Sequence, residues 1–124
     1  MGWIHPVIMA ATMVAGLYVL HLGYCRCLSL HFGKRVSFNW KLHVLAGTVV
    51  LALWTIGPVM GLFGAQVVWG GTFIAKNHAW LGLAMLPLAV IGYVTGRMLD
   101  KIRRRRKWLP MIHGLNNLLL VGLS

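Results

Sequence analysis

Residues 77–87 read N-H-A-W-L-G-L-A-M-L-P and open the third of four apolar segments with a histidine. Residues four apart stack on one face of a helix, so His78 and Gly82 share a face if this segment is helical. A flat ligand could approach that face closely. The other three segments begin in a related way, with a histidine a few residues after a tryptophan: His5 after Trp3, His43 after Trp40 and His113 after Trp108. All four segments therefore follow one pattern, in which a histidine stands near the start of an apolar helix.

The composition places the chain among membrane proteins. It has 124 residues, 59% of them hydrophobic, and a mean hydropathy of +0.76. A soluble domain of this composition could not cover its apolar surface. The single acidic residue, Asp100, stands against twelve lysines and arginines, which lie in short stretches between the apolar segments. Such a distribution indicates membrane topology rather than nucleic-acid binding, so we expect the lipid bilayer as a partner and no nucleic acid.

The four apolar segments predict an all-α membrane protein, an antiparallel four-helix transmembrane bundle that forms a single domain over residues 1–124. The predicted spans cover about residues 3–24, 40–63, 78–98 and 109–124. The last span is the shortest, because its residues extend over about 24 Å against about 30 Å for the hydrocarbon core. Either this helix is short or the natural chain continues past it.

The basic residues predict the orientation of the bundle. Eleven of the twelve lie in or beside the first and third connections, whereas the second connection holds only Lys76. By the positive-inside rule the basic end faces the cytoplasm. We therefore expect a multi-pass protein of the bacterial inner membrane, or of an equivalent such as a thylakoid-type membrane. Both termini are expected on the non-cytoplasmic side.

This topology sorts the four histidines by depth. His5 and His78 fall near the outer surface, and His43 and His113 fall near the inner surface. Helices one and three of such a bundle are diagonal neighbours, as are helices two and four. Bis-histidine ligation of haem iron needs this layout, with two imidazoles at one level on facing helices. Taken singly, a histidine at a membrane-helix end more often bonds to a headgroup, water or a neighbouring carbonyl.

Two glycines and two lysines could complete such a site. Gly82 follows its histidine by four residues, Gly47 repeats that spacing, and glycine permits the close approach of a cofactor ring or of another helix. Lys41 on the inner side and Lys76 on the outer side could neutralise haem propionates. Both lysines are equally explained as ordinary topology determinants, so the two interpretations stay open.

The remaining polar residues carry weaker signals. His21 lies about 160° around the helix from His5, so we expect it to face away from the ligand side. His31 is expected in a loop. Cys25 and Cys27 form a C-x-C pair, from which neither a zinc site nor a disulfide scaffold follows. The arginine run at residues 103–106 is expected to face lipid headgroups or to dock an acidic partner.

Four short motifs resemble the cytochrome b561 superfamily, in its short four-helix bacterial and plastid type. They are W-I-H-P at residues 3–6, K-L-H-V-L-A-G at 41–47, N-H-A-W-L-G-L at 77–83 and I-H-G-L-N-N-L-L-L at 112–120. The resemblance implies a four-helix core that holds two b-type haems, one near each face. It further implies that His5 and His78 ligate the outer haem iron, and His43 and His113 the inner one.

The resulting prediction is a di-haem b-type cytochrome that carries electrons across the membrane for a respiratory or photosynthetic redox chain. It would be an electron-transfer protein or a subunit of a membrane oxidoreductase, with any enzymatic activity of its own left open. The expected cofactors are two haem b groups, with quinone as a further candidate. The expected partners are a redox protein or a larger membrane complex, and a quinone or small reductant. Two alternatives stay open: a haem-bearing membrane anchor of a quinone-linked oxidoreductase complex, and a small histidine-rich metal transporter.

Overall fold

The structure is a computed structural model that describes residues 3–102 and 108–124. Nearly all of these residues lie in four helices: α1 (Ile4–His31), α2 (Trp40–Trp69), α3 (Asn77–Lys101) and α4 (Trp108–Leu123). The described residues contain no strand. The predicted fold class, an all-α antiparallel bundle of membrane helices, is confirmed. The arginine run at residues 103–106 lies outside the described residues.

The first three helices are each long and apolar enough to cross a membrane, and α4 is a shorter apolar helix. Helix α1 extends seven residues beyond its predicted span, so His31 lies in its last turn. The expectation that His31 lies in a loop is therefore wrong. Residues 25–31 contain neither glycine nor proline, and a long side chain such as that of Arg26 can reach water from a helical backbone. The helix ends just before Gly33, which adopts a φ of +61°.

Two local signals set the ends of α2. The Asn39 side chain accepts a hydrogen bond from the backbone N–H of Leu42 at 3.1 Å, which caps the first turn. At the other end Gly70 adopts the left-handed conformation, with φ +70°, and its N–H donates to the carbonyl of Gln66. Glycine is favoured there because a Cβ would strain this backbone conformation. Helix α2 therefore runs beyond its predicted span to Trp69.

The helices form a ring in chain order. Helix α1 packs on α2, α2 on α3 and α3 on α4, and a smaller contact between α1 and α4 closes the ring. Within the described helices, the diagonal pairs α1/α3 and α2/α4 make no close backbone contact. Short connections between antiparallel helices impose this order. The space between diagonal helices is therefore bridged only by side chains.

The core lies midway along the bundle, between the two levels of histidines. Trp54 is 2% exposed and Leu120 is fully buried, and they pack in one cluster with Val50, Leu51, Met85 and Ala89. The Trp54 indole reaches α1 at Gly16, where an added Cβ would lie 2.6 Å from the ring atom Cη2. The absence of a side chain at Gly16 therefore sets how closely α1 and α2 approach.

Large apolar side chains cover the outside of the bundle. Leu45, Phe63 and Val67 are each exposed by two thirds or more, at 67%, 71% and 68%. Three helices of membrane-spanning length present this surface. A contiguous apolar surface of this extent is stable against lipid tails and not against water. The chain is a multi-pass membrane protein with the lipid bilayer as its partner.

The contact between Gly16 and Trp54 predicts the effect of adding one methyl group. Gly16→Ala should lower the free energy of unfolding by about 1–3 kcal/mol, because the buried indole has to move. Gly64→Ala is the matched control, since an added Cβ there meets nothing within 4 Å. That control should be neutral or gain up to about 1 kcal/mol from helix propensity. Unfolding of the purified protein in detergent, followed by circular dichroism, measures both. Equal stability of the two variants would contradict the packing described for Trp54.

Candidate functional site

The structure brings together both histidine pairs that depth sorting predicts. The ring centroids of His5 and His78 lie 6.1 Å apart, and the planes of the two rings meet at 76°. At the other end of the bundle, the centroids of His43 and His113 lie 6.4 Å apart, with an interplanar angle of 75°. Each pair joins two diagonal helices whose backbones do not touch. The bundle therefore carries one pair of nearly perpendicular imidazoles at each end.

His43 is oriented by a hydrogen bond to α1. Its Nδ1 lies 3.2 Å from the carbonyl oxygen of Val19. A carbonyl can only accept, so Nδ1 carries the proton and donates. In the neutral ring Nε2 then carries the lone pair. The carbonyl is accessible because Gly23, one turn further along α1, has no side chain to cover it: a Cβ there would lie 3.3 Å from Cε1 of His43.

His113 is oriented by a hydroxyl on α3. The Oγ1 of Thr95 lies 2.9 Å from Nδ1 of His113 and donates its own proton to the carbonyl of Ile91 at 2.6 Å. A hydroxyl has one proton, so the contact to His113 is a bond that Nδ1–H donates and Thr95 accepts. In this tautomer Nε2 of His113 carries the lone pair, as in His43. The amide nitrogen of Asn117 lies 3.3 Å from Nδ1 and 3.4 Å from Nε2 of His113.

The outer pair is more accessible than the inner pair. His78 is exposed and His5 is half-buried, whereas both inner histidines are half-buried. His78 lies in the first turn of α3, and its backbone N–H donates to the carbonyl of Ala75. The outer pair can therefore be reached from the surface of the bundle, while the inner pair is held by partners on α1 and α3.

Three glycines that the sequence did not single out lie against these imidazoles. Gly23 contacts His43, an added Cβ at Gly61 would lie 2.9 Å from Cε1 of His5, and one at Gly96 would lie 3.1 Å from Cε1 of His113. In each case the glycine is on a helix adjacent to that of the histidine. The signal that could have revealed them is a glycine at the same predicted depth on a neighbouring helix, rather than one on the helix of the histidine itself.

The two glycines predicted to lie beside a ligand make helix contacts instead. A Cβ on Gly82 would lie 3.3 Å from Cβ of Pro58, and one on Gly47 would lie 3.5 Å from Cγ1 of Val19. Both glycines thus face an adjacent helix, which is the second of the two uses that sequence reasoning left open. A role for either glycine beside a cofactor stays a prediction.

The two lysines lie near the helix starts, as the sequence placed them. Lys41 is exposed in the first turn of α2. Lys76 immediately precedes α3, with a φ of +35°, and its carbonyl accepts from the backbone N–H of Trp80. Neutralisation of propionates by either lysine stays a prediction.

Helix α1 also carries His21, Cys25 and Cys27. His21 is exposed, which confirms that it faces away from His5. Its Nε2 lies 3.7 Å from Sγ of the buried Cys25, and Cys27 is exposed. Residues two apart on a helix point to opposite sides, so Cys25 and Cys27 cannot form a disulfide while α1 is intact.

One relative is informative about function. The chain is similar to the cytochrome c-type biogenesis protein CcdA of Halalkalibacterium halodurans, with 31% identity over 100 residues. The match covers 73% of this chain and 40% of the relative, so the chain spans less than half the length of that protein. No protein-family model matches the chain, and no solved structure matches it.

This similarity overturns the family and the function predicted from the motifs. The relative is a cytochrome c-type biogenesis protein and not a b561 cytochrome, so membership of the cytochrome b561 superfamily is wrong. The predicted di-haem electron carrier is wrong with it, as are the haem-bearing anchor and the metal transporter. The motifs misled because they are short and rich in leucine and glycine, which membrane helices use for hydropathy and packing.

The classification as an iron- and metal-binding protein is corrected as well. Within residues 3–102 and 108–124, no group of three or more His, Cys, Asp or Glu side chains could hold a metal ion. The paired imidazoles offer two side chains at each level, and hydrogen bonds to neighbouring helices hold the inner pair. The binding of haem b or quinone, and the ligand roles of His5, His43, His78 and His113, stay predictions.

Proposed function

We propose that this chain is a membrane component of a cytochrome c-type biogenesis system. The observation that carries the proposal is the 31% identity to a protein of that name over 73% of the chain. The matched length is that of most of the four-helix bundle, so the proposal concerns the bundle itself and not an appended segment. The chain spans 40% of that relative, so the proposal does not extend to activities that need the relative's other parts.

We place the working groups of this function at the imidazole pairs. The middle of the bundle is packed with apolar side chains, so a small polar molecule finds hydrogen-bonding side chains mainly at its two ends. At the inner pair, we assign the proton of each ring to Nδ1, which faces an oxygen on another helix, and the lone pair to Nε2. A molecule bound there has to supply a hydrogen-bond donor. Quinols and other small hydroxylated reductants carry donors of this kind.

The partner and the location belong to the same proposal. The partner proposed for the chain is a redox protein or a larger membrane complex, within which it serves cytochrome c-type biogenesis. It lies in the bacterial inner membrane or an equivalent such as a thylakoid-type membrane. The end with eleven of the twelve basic residues faces the cytoplasm. Both termini then lie on the opposite side.

The function predicts a loss of mature c-type cytochrome when the inner pair is removed. In cells that encode this chain, deletion of its gene should lower the amount of c-type cytochrome with covalently bound haem, as measured by haem staining of denaturing gels. Re-expression should restore it. His43→Ala and His113→Ala should restore it roughly tenfold less well, because each removes a side chain that holds the bound molecule.

The matched control is His21→Ala, which removes an exposed histidine from the outer face of α1. This variant should restore cytochrome c fully, with the membrane level of every variant checked by immunoblot. A deletion strain with normal cytochrome c would refute the proposed function. Full restoration of cytochrome c by both inner-pair variants would instead show that the function does not depend on the imidazoles of His43 and His113.

The orientation predicts the activity of reporter fusions. Alkaline phosphatase, which is active only outside the cytoplasm, should be active when fused after Ser124 or within the α2–α3 connection near Thr72. It should be inactive when fused within the α1–α2 connection near Ser37. Green fluorescent protein should give the reverse pattern. The opposite result at all three positions would invert the proposed topology.

A further inference from the structure

A groove between α2 and α3 lies at the basic end of the bundle. It is an open depression of about 340 Å³, lined by Trp40 and Lys41, by Val44, Leu45 and Thr48, and by Arg97 and Asp100. The lining comes from the first turns of α2 and the last turns of α3. The function proposed above uses none of these side chains, so the groove poses a separate question.

The lining changes from charged to apolar along the helix axis. Lys41 lies in the first turn of α2, and Arg97 lies near the end of α3. Val44 and Leu45 lie about one turn deeper, and Leu45 is 67% exposed. Trp40 stands at the mouth, where tryptophan is favoured at membrane interfaces. A molecule that fits this order has a charged head and an apolar tail beside it.

The charges of the groove favour a single negative charge on its occupant. Lys41 and Arg97 each contribute one positive charge, and Asp100 contributes one negative charge, which leaves one positive charge in excess. The ion pair between Arg97 Nη1 and Asp100 Oδ2 is long, at 3.9 Å, and the Arg97 side chain is 45% exposed. Most of the guanidinium donors therefore still point to the surroundings.

Asp100 also has an unmet hydrogen-bonding requirement. Its Oδ1 is buried and has no hydrogen-bond partner within the described part of the chain. A buried acceptor without a donor is destabilising, and a rotation of the partly exposed carboxylate would bring this oxygen to a donor in the groove. An anion alone cannot supply that donor. A headgroup that combines a phosphate with a hydroxyl can satisfy both the cations and the carboxylate.

We propose that this groove binds one phospholipid with a phosphatidylglycerol-type headgroup. The phosphodiester accepts hydrogen bonds from Lys41 and Arg97, and a glycerol hydroxyl donates to Asp100. One acyl chain lies along Val44 and Leu45. Basic pockets between membrane helices on the cytoplasmic side bind anionic headgroups for the same electrostatic reason. A lipid with an ethanolamine headgroup also offers a donor, but it brings no net negative charge to offset the excess positive charge.

Native mass spectrometry of the purified full chain tests this site. The protein in detergent is titrated with phosphatidylglycerol, phosphatidylethanolamine or phosphatidylcholine, and the bound lipid is counted. Phosphatidylglycerol should bind roughly tenfold more tightly than the two zwitterionic lipids. Lys41→Gln and Arg97→Gln should each weaken its binding on the order of fivefold, because each removes one cationic contact.

Two further variants separate the groove from general charge effects. Lys34→Gln removes a base from the α1–α2 connection, outside the groove lining, and should leave binding unchanged. Thr48→Phe adds a ring to the apolar part of the groove without changing its charge and should weaken binding of the acyl chain. This variant keeps the test decisive if a charge variant fails to fold.

Three outcomes would overturn the proposal. The first is that the protein binds phosphatidylglycerol and phosphatidylcholine equally well. The second is that Lys41→Gln, Arg97→Gln and Lys34→Gln all bind phosphatidylglycerol equally well. The third is that inorganic phosphate at equal concentration displaces the lipid. The last result would identify a site for a free anion rather than for a lipid. None of these outcomes bears on cytochrome c biogenesis, so the two proposals can fail independently.

Discussion

The bilayer requires every backbone N–H and C=O group within it to be satisfied inside the protein, and the rest of this structure follows from that constraint. Helices meet the requirement internally, so the contacts between helices depend on side chains. At mid-bundle these contacts are apolar, with the Trp54 indole packed against Gly16. At the inner end they include hydrogen bonds from imidazoles to partners on other helices. Glycine permits both kinds of contact, because it has no side chain and an aromatic ring can therefore approach the backbone.

The inner histidines illustrate how a polar side chain is held in such a bundle. His43 bonds to a carbonyl on α1 that Gly23 leaves uncovered, and His113 bonds to the hydroxyl of Thr95 on α3. Each ring therefore has a hydrogen-bond partner on another helix of the protein itself. Interhelical hydrogen bonds alone can thus explain a pattern of paired histidines. This is why it did not discriminate between a b561 cytochrome and a relative of a cytochrome c-type biogenesis protein.

The two ends of the bundle differ in their chemistry. Of the basic residues that the structure describes, all except Lys76 lie toward one end, which also carries the more enclosed imidazole pair and the groove between α2 and α3. The other end carries an accessible imidazole pair and one lysine, Lys76. An asymmetric charge distribution sets orientation during insertion and attracts anionic headgroups afterwards. The same residues can therefore set the topology and bind lipid. Asp100 distinguishes the groove from a simple patch of positive charge, because it adds a hydrogen-bond acceptor beside the two cations.

The sequence alone determined the membrane class, the number of helices and the pairing of His5 with His78 and of His43 with His113. These follow from hydropathy, chain order and depth, which are properties of position along the chain. The ends of the helices were harder to predict from the sequence, because α1 continues through polar residues to His31. The partners of the imidazoles were decided only by the tertiary structure, since Gly23, Gly61 and Gly96 act from neighbouring helices. Rotation of each helix about its own axis selects those contacts, and that rotation depends on the packing of all four helices together.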